Sequence, residues 1–289
     1  MNVGTYAFAQ LLRVLPRTRI TRAVGRLCEL GLPVPISRLL VGAYVRAYDV
    51  DLDDAESLNG AAAYRSFDAF FTRGLRDGAR APCVDREALV SPADGVLQAV
   101  GCVTEDGWIT VKGSQYRADE LLLSEREAER HRGGHYAVIY LSPRDYHRVH
   151  SPAAGRFVEV RSAPGELFPV NRISELYFPG FLTRNRRVAM AIDTSRGRIT
   201  VVMVAAMIVG RITVTGIGAR DVPFGRHPIE PPLELVRGDE IGIFHLGSTA
   251  IVFTEPGAKP LARAPGPIRL GESLHQTREG QPKMGEYDG

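Results

Sequence analysis

The stretch Arg198-Ile199-Thr200-Val201-Val202-Met203-Val204-Ala205-Ala206-Met207-Ile208-Val209-Gly210-Arg211 decides the fold class. Its apolar run covers 199–210, 12 residues between two arginines, where a membrane-spanning helix needs ~20. Its Val, Ile and Thr content makes it a buried strand or a pair of them. Short β segments punctuated by Gly and Pro are read at 95–103, 108–112, 136–141, 155–160, 187–193, 212–216 and 250–254, with one helix at 117–130. That pattern predicts an α+β fold with a mainly antiparallel β core. The tail at 263–289 reads as too polar for a core element.

Ahead of the core lies a different kind of sequence. Residues 1–48 hold Arg13, Arg17, Arg19, Arg22, Arg26, Arg38 and Arg46 against the single acid Glu29. Apolar residues recur there at helical spacing: Tyr6, Phe8, Leu11, Leu12 and Leu15, then Leu27, Leu30 and Leu32, then Ile36, Leu39, Leu40, Val41, Tyr44 and Val45. Two readings stand. Basic amphipathic helices suit the headgroup region of an anionic membrane; alternatively the apolar faces pack on the rest of the protein and the arginines stay solvated. Pro33 and Pro35 interrupt the helices, and Gly60-Ala61-Ala62-Ala63 marks a hinge, so residues 1–60 are predicted as a helical region distinct from 61–289.

With 289 residues, 44% of them hydrophobic, the chain can bury a substantial core. A net charge of +3 is too small to argue for a nucleic-acid partner. Cys28, Cys83 and Cys102 have no paired metal spacing and leave one over in any disulfide scheme, which suits a reducing compartment; they read as small buried hydrophobes. No signal peptide is predicted.

The chemistry is concentrated in Phe244-His245-Leu246-Gly247-Ser248-Thr249. Gly-Ser-Thr is ordinary turn composition between strands, yet Gly247-Ser248 also places a hydroxyl directly after the least hindered carbonyl a chain can offer. Attack of Ser248 Oγ on that carbonyl needs an unusual backbone conformation that glycine tolerates. The amide becomes an ester, which can eliminate to dehydroalanine and hydrolyse to a pyruvoyl group. A hydroxyl nucleophile also needs a base and a carboxylate to orient that base, in any chain order. Ser91-Pro92-Ala93-Asp94-Gly95 supplies a carboxylate in a tight turn; Leu141-Ser142-Pro143-Arg144-Asp145-Tyr146-His147-Arg148-Val149-His150 supplies histidines after the strand-like Tyr136-Ala137-Val138-Ile139-Tyr140.

Together with these segments, Phe70-Phe71-Thr72-Arg73-Gly74-Leu75-Arg76, Arg80-Ala81-Pro82, Lys112-Gly113 with Tyr116, Pro164-Gly165-Glu166-Leu167-Phe168-Pro169-Val170-Asn171, Arg184-Asn185, Val209-Gly210 and Arg237-Gly238-Asp239-Glu240-Ile241-Gly242-Ile243-Phe244 carry a resemblance over nearly the whole chain. The chain resembles the bacterial, membrane-associated, pyruvoyl-dependent phosphatidylserine decarboxylases. The resemblance implies self-cleavage between Gly247 and Ser248 into a beta chain, 1–247, and an alpha chain, 248–289, with Asp94, His150 and Ser248 as the relay. It implies that Ser248 becomes the pyruvoyl group, the covalent cofactor, which forms a Schiff base with phosphatidylserine, and that His147 serves the decarboxylation step by returning a proton. The implied product is phosphatidylethanolamine, formed with CO2. The implied partners are the anionic membrane surface, the two fragments as a heterodimer and a homo-oligomer, with the chain peripheral on the cytoplasmic side of the cell membrane. Two departures are Glu279, where an apolar Met is expected, and the compact segment 216–235.

Other readings remain for individual residues. A serine hydrolase using Ser248, His150 and Asp94 without self-cleavage is the alternative function, although no Gly-x-Ser-x-Gly elbow frames the serine. His147 and His150 with Asp145 would make a poor metal site, since i and i+3 histidines on a strand face opposite sides and no third ligand is adjacent in sequence; no metal is predicted. His131, His135, His227 and His275 read as surface residues, His245 as structural, and Arg144 with Asp145 as a pair that holds its loop.

Overall fold

The computed structural model describes residues 10, 13, 15–58, 60–81, 83–170, 172–207, 211–245 and 248–276, the side chains of Arg172, Ile173 and Ser248 excepted. Thirteen strands and seven helices are described. The helices are α1 (Arg17–Cys28), α2 (Val34–Tyr48), α3 (Phe67–Phe71), α4 (Ala118–Leu122), α5 (Glu125–His131), α6 (Arg172–Tyr177) and α7 (Phe181–Arg184). The strands are β1 (Gly95–Cys102), β2 (Trp108–Val111), β3 (Ser114–Arg117), β4 (His135–Leu141), β5 (Arg148–His150), β6 (Gly155–Ala163), β7 (Arg187–Thr194), β8 (Gly197–Ala205), β9 (Arg211–Val214), β10 (Gly225–Leu235), β11 (Glu240–His245), β12 (Ser248–Thr254) and β13 (Gly266–Ile268).

Eight strands form one sheet in the order β10-β6-β7-β8-β12-β4-β1-β13, with every pair antiparallel. The fold is α+β with a mainly antiparallel β core, as the sequence predicts. The apolar run of β8 sits near the middle because its residues 199–205 are buried on both faces, and a strand covered on both faces can be apolar throughout. β10 carries Pro228, Pro231 and Pro232 at the sheet edge, where a missing N–H costs no ladder bond. β5-β11-β9 form a second, three-stranded sheet, and β2-β3 a hairpin.

Several expectations are corrected. The helix read at 117–130 is two helices, because Leu123 takes a left-handed conformation at φ +56° and Ser124 starts α5 by accepting the Glu127 N–H. The tail does join the core: β13 pairs with β1, and Ile268, Leu270 and Leu274 are buried. Backbone bonds hold it, since the Ser91 N–H donates to Glu272 O at 2.7 Å and the Leu274 N–H to Leu89 O at 2.9 Å. His131 and His275 are buried rather than on the surface: His131 Nε2 meets the Thr200 hydroxyl at 3.0 Å, and His275 bridges Pro260 O and the Leu89 N–H. All three cysteines are free; Cys28 and Cys83 are half-buried and Cys102 exposed, so none is a core residue.

The basic helices present an inverted pattern. α1 buries the polar Arg17 and Thr21, with Arg17 paired to Glu166 at 2.6 Å and lying over the Phe168 ring, 4.0 Å from its centroid. α2 buries Ser37 and Val41. Leu27, Leu30, Val34, Ile36, Leu39, Leu40 and Tyr48 are exposed, so this apolar surface is not spent on the core. Tyr6, Phe8, Leu11 and Leu12 lie outside the described residues. No helix among the described residues is long and apolar enough to cross a membrane.

Candidate active site

The strand register brings the predicted residues to one end of the large sheet. Tyr140 of β4 pairs with Val96 of β1 on one side and Thr249 of β12 on the other; Ser248 pairs with both Leu141 and Ala205. Asp94 and Ser248 therefore start strands on either side of β4, about 10 Å apart at two strand spacings. β4 ends there and feeds the 142–147 loop, which leads into β5 with His150. Gly95 permits this approach: at φ +153°, an added Cβ would lie 2.2 Å from Tyr140 O. Gly247, and so the predicted cleavage bond, lies outside the described residues, as does the Ser248 side chain.

Asp94 is buried and fully engaged. It accepts from Arg80 Nε at 3.0 and 3.2 Å, from Arg80 Nη2, and from the Leu270 N–H at 2.7 Å. Arg80 also donates to Asp54 at 2.6 Å. Burial opposes the guanidinium charge, but the two carboxylates outweigh it and raise the Arg80 pKa.

His150 sits beside this group without bonding to Asp94. Its backbone N–H donates to Pro92 O at 2.8 Å in the Asp94 turn. Its Nδ1–H donates to Gly238 O at 2.7 Å, leaving Nε2 to accept from the Tyr146 hydroxyl at 3.0 Å. Burial lowers the His150 pKa, with Gly238, Glu240 and Asp94 partly opposing, so the ring is neutral near pH 7. His150 lines an open cavity of about 630 Å³ with Tyr146, Arg80, Arg148 and Arg237.

His147 is wholly buried, off the strand, with its ring centroid 4.1 Å from that of Phe71. Its Nδ1–H donates to Asp145 O at 2.7 Å, and among the described residues the buried Nε2 has no hydrogen-bond partner. Burial, helped by the Arg73 charge, lowers its pKa to about 3 against the Asp145 hydrogen bond. In this form it is a neutral imidazole whose Nε2 is an acceptor. The loop is held by Asp145 accepting from the Ser142 N–H and hydroxyl at 2.6 and 2.7 Å, not by a pair with Arg144.

The pattern of the phosphatidylserine decarboxylase family matches residues 67–276. The chain belongs to that family. It is a decarboxylase. Among curated relatives it is similar to the phosphatidylserine decarboxylase proenzyme of Anaeromyxobacter sp. (strain K), 37% identical over 276 residues that take in 92% of this chain and 97% of the relative. The proenzyme of Acinetobacter baumannii (strain ATCC 17978) is 38% identical over 274 residues, 93% of this chain and 96% of its own. That of Pseudomonas paraeruginosa (strain PA7) is 39% identical over 272 residues, 90% and 93%.

The match to the decarboxylase family begins at Phe67, the first residue of α3, and leaves α1 and α2 outside it. A second cavity of about 480 Å³ lies under α1, lined by Arg22, Arg26, Asp68, Arg211, Phe224 and His245. Sequence reasoning gave no role to Arg80, Tyr146, the Gly238 carbonyl or the Leu270 N–H. Arg80, Gly238 and Leu270 stand 14, 88 and 176 residues from the groups they hold, so no local spacing marks them, whereas Tyr146 is four residues from His150. Glu279 lies outside the described residues; segment 216–235 leads into and forms β10.

Proposed function

We propose that this chain is a self-processing phosphatidylserine decarboxylase whose Ser248 becomes a pyruvoyl group. The observation that carries the reading is that the Asp94 turn and the start of β12 flank the end of β4, from which the loop with His147 leads to His150, bonded by its N–H to Pro92 O in the Asp94 turn, in a chain whose relatives are named proenzymes. In processing, His150 Nε2 takes the Ser248 hydroxyl proton as Oγ attacks the Gly247 carbonyl; Asp94 acts through its negative charge, which favours the protonated ring. Loss of the Ser248 Cα proton then releases Gly247 as a carboxylate, and water replaces the remaining nitrogen as ammonia.

Among the described residues His147 Nε2 has no hydrogen-bond partner, which leaves an acceptor for the ammonium of an incoming substrate rather than for the pyruvoyl carbonyls themselves. When formed, the pyruvoyl carbonyl takes up the substrate amine and withdraws electrons as CO2 leaves. His147 is assigned the decarboxylation step, in which it returns a proton to the substrate Cα. The 248–289 fragment stays in place after cleavage, since β12 pairs on both sides and β13 pairs with β1. Residues 1–60 form the membrane-associating region and 61–289 the decarboxylase domain, with the exposed leucines of α1 and α2 entering the anionic surface on the cytoplasmic side. The hydrolase alternative draws no support from relatives that are named decarboxylase proenzymes.

A denaturing gel tests processing: wild type should run as 1–247 and 248–289, and Ser248→Ala as one chain. Borohydride added with phosphatidylserine should fix the lipid to the smaller fragment without pyridoxal phosphate. Two fragments from Ser248→Ala would overturn the scheme.

A further inference from the structure

We infer that Asp68, through its hydrogen bonds to His245, is a positioning residue for self-cleavage that anchors the strand delivering the Gly247–Ser248 bond. This rests on the self-processing reading. β11 belongs to the three-stranded sheet and β12 to the eight-stranded one, and the chain passes from His245 to Ser248 with two residues between them. Where the bond lies is therefore set by how each sheet holds its strand. The downstream side is secured by β4 and β8.

The upstream side depends on His245, the last residue of β11. Its Nδ1 donates to Asp68 Oδ1 at 2.8 Å and Oδ2 at 3.1 Å, and its Nε2 meets the Thr213 hydroxyl at 3.2 Å. Arg211, its register partner on β9, donates to Asp68 Oδ2 at 2.7 Å and lies against the same imidazole. Side-chain exposures of 11% for His245 and 16% for Asp68 limit the competition from water in the cavity they line. Asp68 also stands on α3 less than one turn from Phe71, whose ring packs on His147. One short helix thus supports both the decarboxylation histidine and the strand before the cleavage bond.

Attack by a serine hydroxyl on the preceding carbonyl needs a backbone conformation that persists only when its surroundings over-determine it. Releasing His245 frees the end of β11, so that strand no longer fixes its side of the bond. The affected step is the acyl shift: the Gly247 carbon forms a bond to Ser248 Oγ, its bond to the Ser248 nitrogen breaks, and the Oγ proton passes to that nitrogen. Hydroxylamine distinguishes this step from the later elimination, because it cleaves the ester to a Gly247 hydroxamate and a free Ser248 but leaves the amide intact.

The experiment follows cleavage of the full chain on denaturing gels with fragment masses, with and without hydroxylamine, alongside thermal melts. Asp68→Asn and His245→Leu should cleave at least tenfold more slowly while melting cooperatively. His245→Asn, which keeps a donor near the position of Nδ1, should recover most of the rate, an outcome that loss of a merely structural contact does not produce. Hydroxylamine should not accelerate Asp68→Asn. Wild-type rates in Asp68→Asn overturn the inference, as does an accumulated ester in that variant. If His245→Leu fails to fold, Asp68→Asn and His245→Asn decide the matter. An intact wild-type chain overturns self-processing itself, and this inference with it.

Discussion

Arg80 grips Asp94 through Nε, 3.0 and 3.2 Å from the two carboxylate oxygens, and turns Nη1 to Asp54 at 2.6 Å. Both members of the Arg80–Asp94 pair are largely buried, so removing one leaves an uncompensated charge, at a cost of about 3–5 kcal/mol. Arg80→Leu should lower stability by that order in chemical denaturation and slow self-cleavage at least tenfold, as Asp94 loses the partner that fixes its charge near His150. Cleavage at the wild-type rate would show that the charge on Asp94 is not needed.

The two histidines should separate on a gel. His150→Ala removes the base beside the Asp94 turn and should leave a single chain. His147→Ala should still cleave, yet lose most CO2 release from phosphatidylserine, because the proposed scheme assigns its Nε2 to substrate rather than to Ser248. Two uncleaved variants would show that the division of labour is wrong.

Acid should weaken the fold through His147. Its pKa is about 3 in the folded chain and about 6.5 when unfolded, so the unfolded state binds the extra proton between those values. The neutral ring's contribution is fully present above about pH 6.5 and falls by about 2 kcal/mol by pH 5, continuing down to about pH 3. Denaturant midpoints of wild type and His147→Gln at pH 7 and pH 5 check this: the variant should lose less on acidification. Equal losses would mean that other groups carry the acid sensitivity.

Membrane binding should divide by residue type. Arg19, Arg22 and Arg26 are exposed, and each contributes about 1 kcal/mol near an anionic surface at low salt. Changing all three to Gln should reduce flotation with anionic vesicles at 0.1 M salt, where the screening length is about 10 Å. Leu27, Leu39 and Leu40 changed to Ser should remove the binding that survives about 1 M salt. If neither set changes flotation, α1 and α2 do not meet the membrane. Arg17 is excluded from the test because it is buried against Glu166 and Phe168.

The β core was legible because its signal is local: β8 and β4 are runs of Val, Ile and Ala whose period and bounding glycines can be read residue by residue. β13 was not legible. Its Gly-Pro-Ile has no strand pattern of its own and is a strand only because β1 offers it an edge. The buried state of His131 and His275 was hidden for the same reason: Thr200 meets one nitrogen of His131, and Pro260 and Leu89 meet both of His275, from other segments of the chain.

By itself, the sequence determined the chemical types and their order: a glycine before Ser248, a carboxylate in a turn, two histidines after a strand, and a basic leader with leucines at helical spacing. Those features are carried by covalent neighbours, so they survive without a fold. Only the tertiary structure decided which groups meet. It placed Asp94 on Arg80 rather than on His150, left His147 Nε2 without a partner among the described residues, and joined Asp68 to His245 across 177 residues. It also turned the leucines of α1 and α2 outward while burying Arg17. These outcomes depend on burial and on strand register, which arise from packing between distant segments and have no period in the chain.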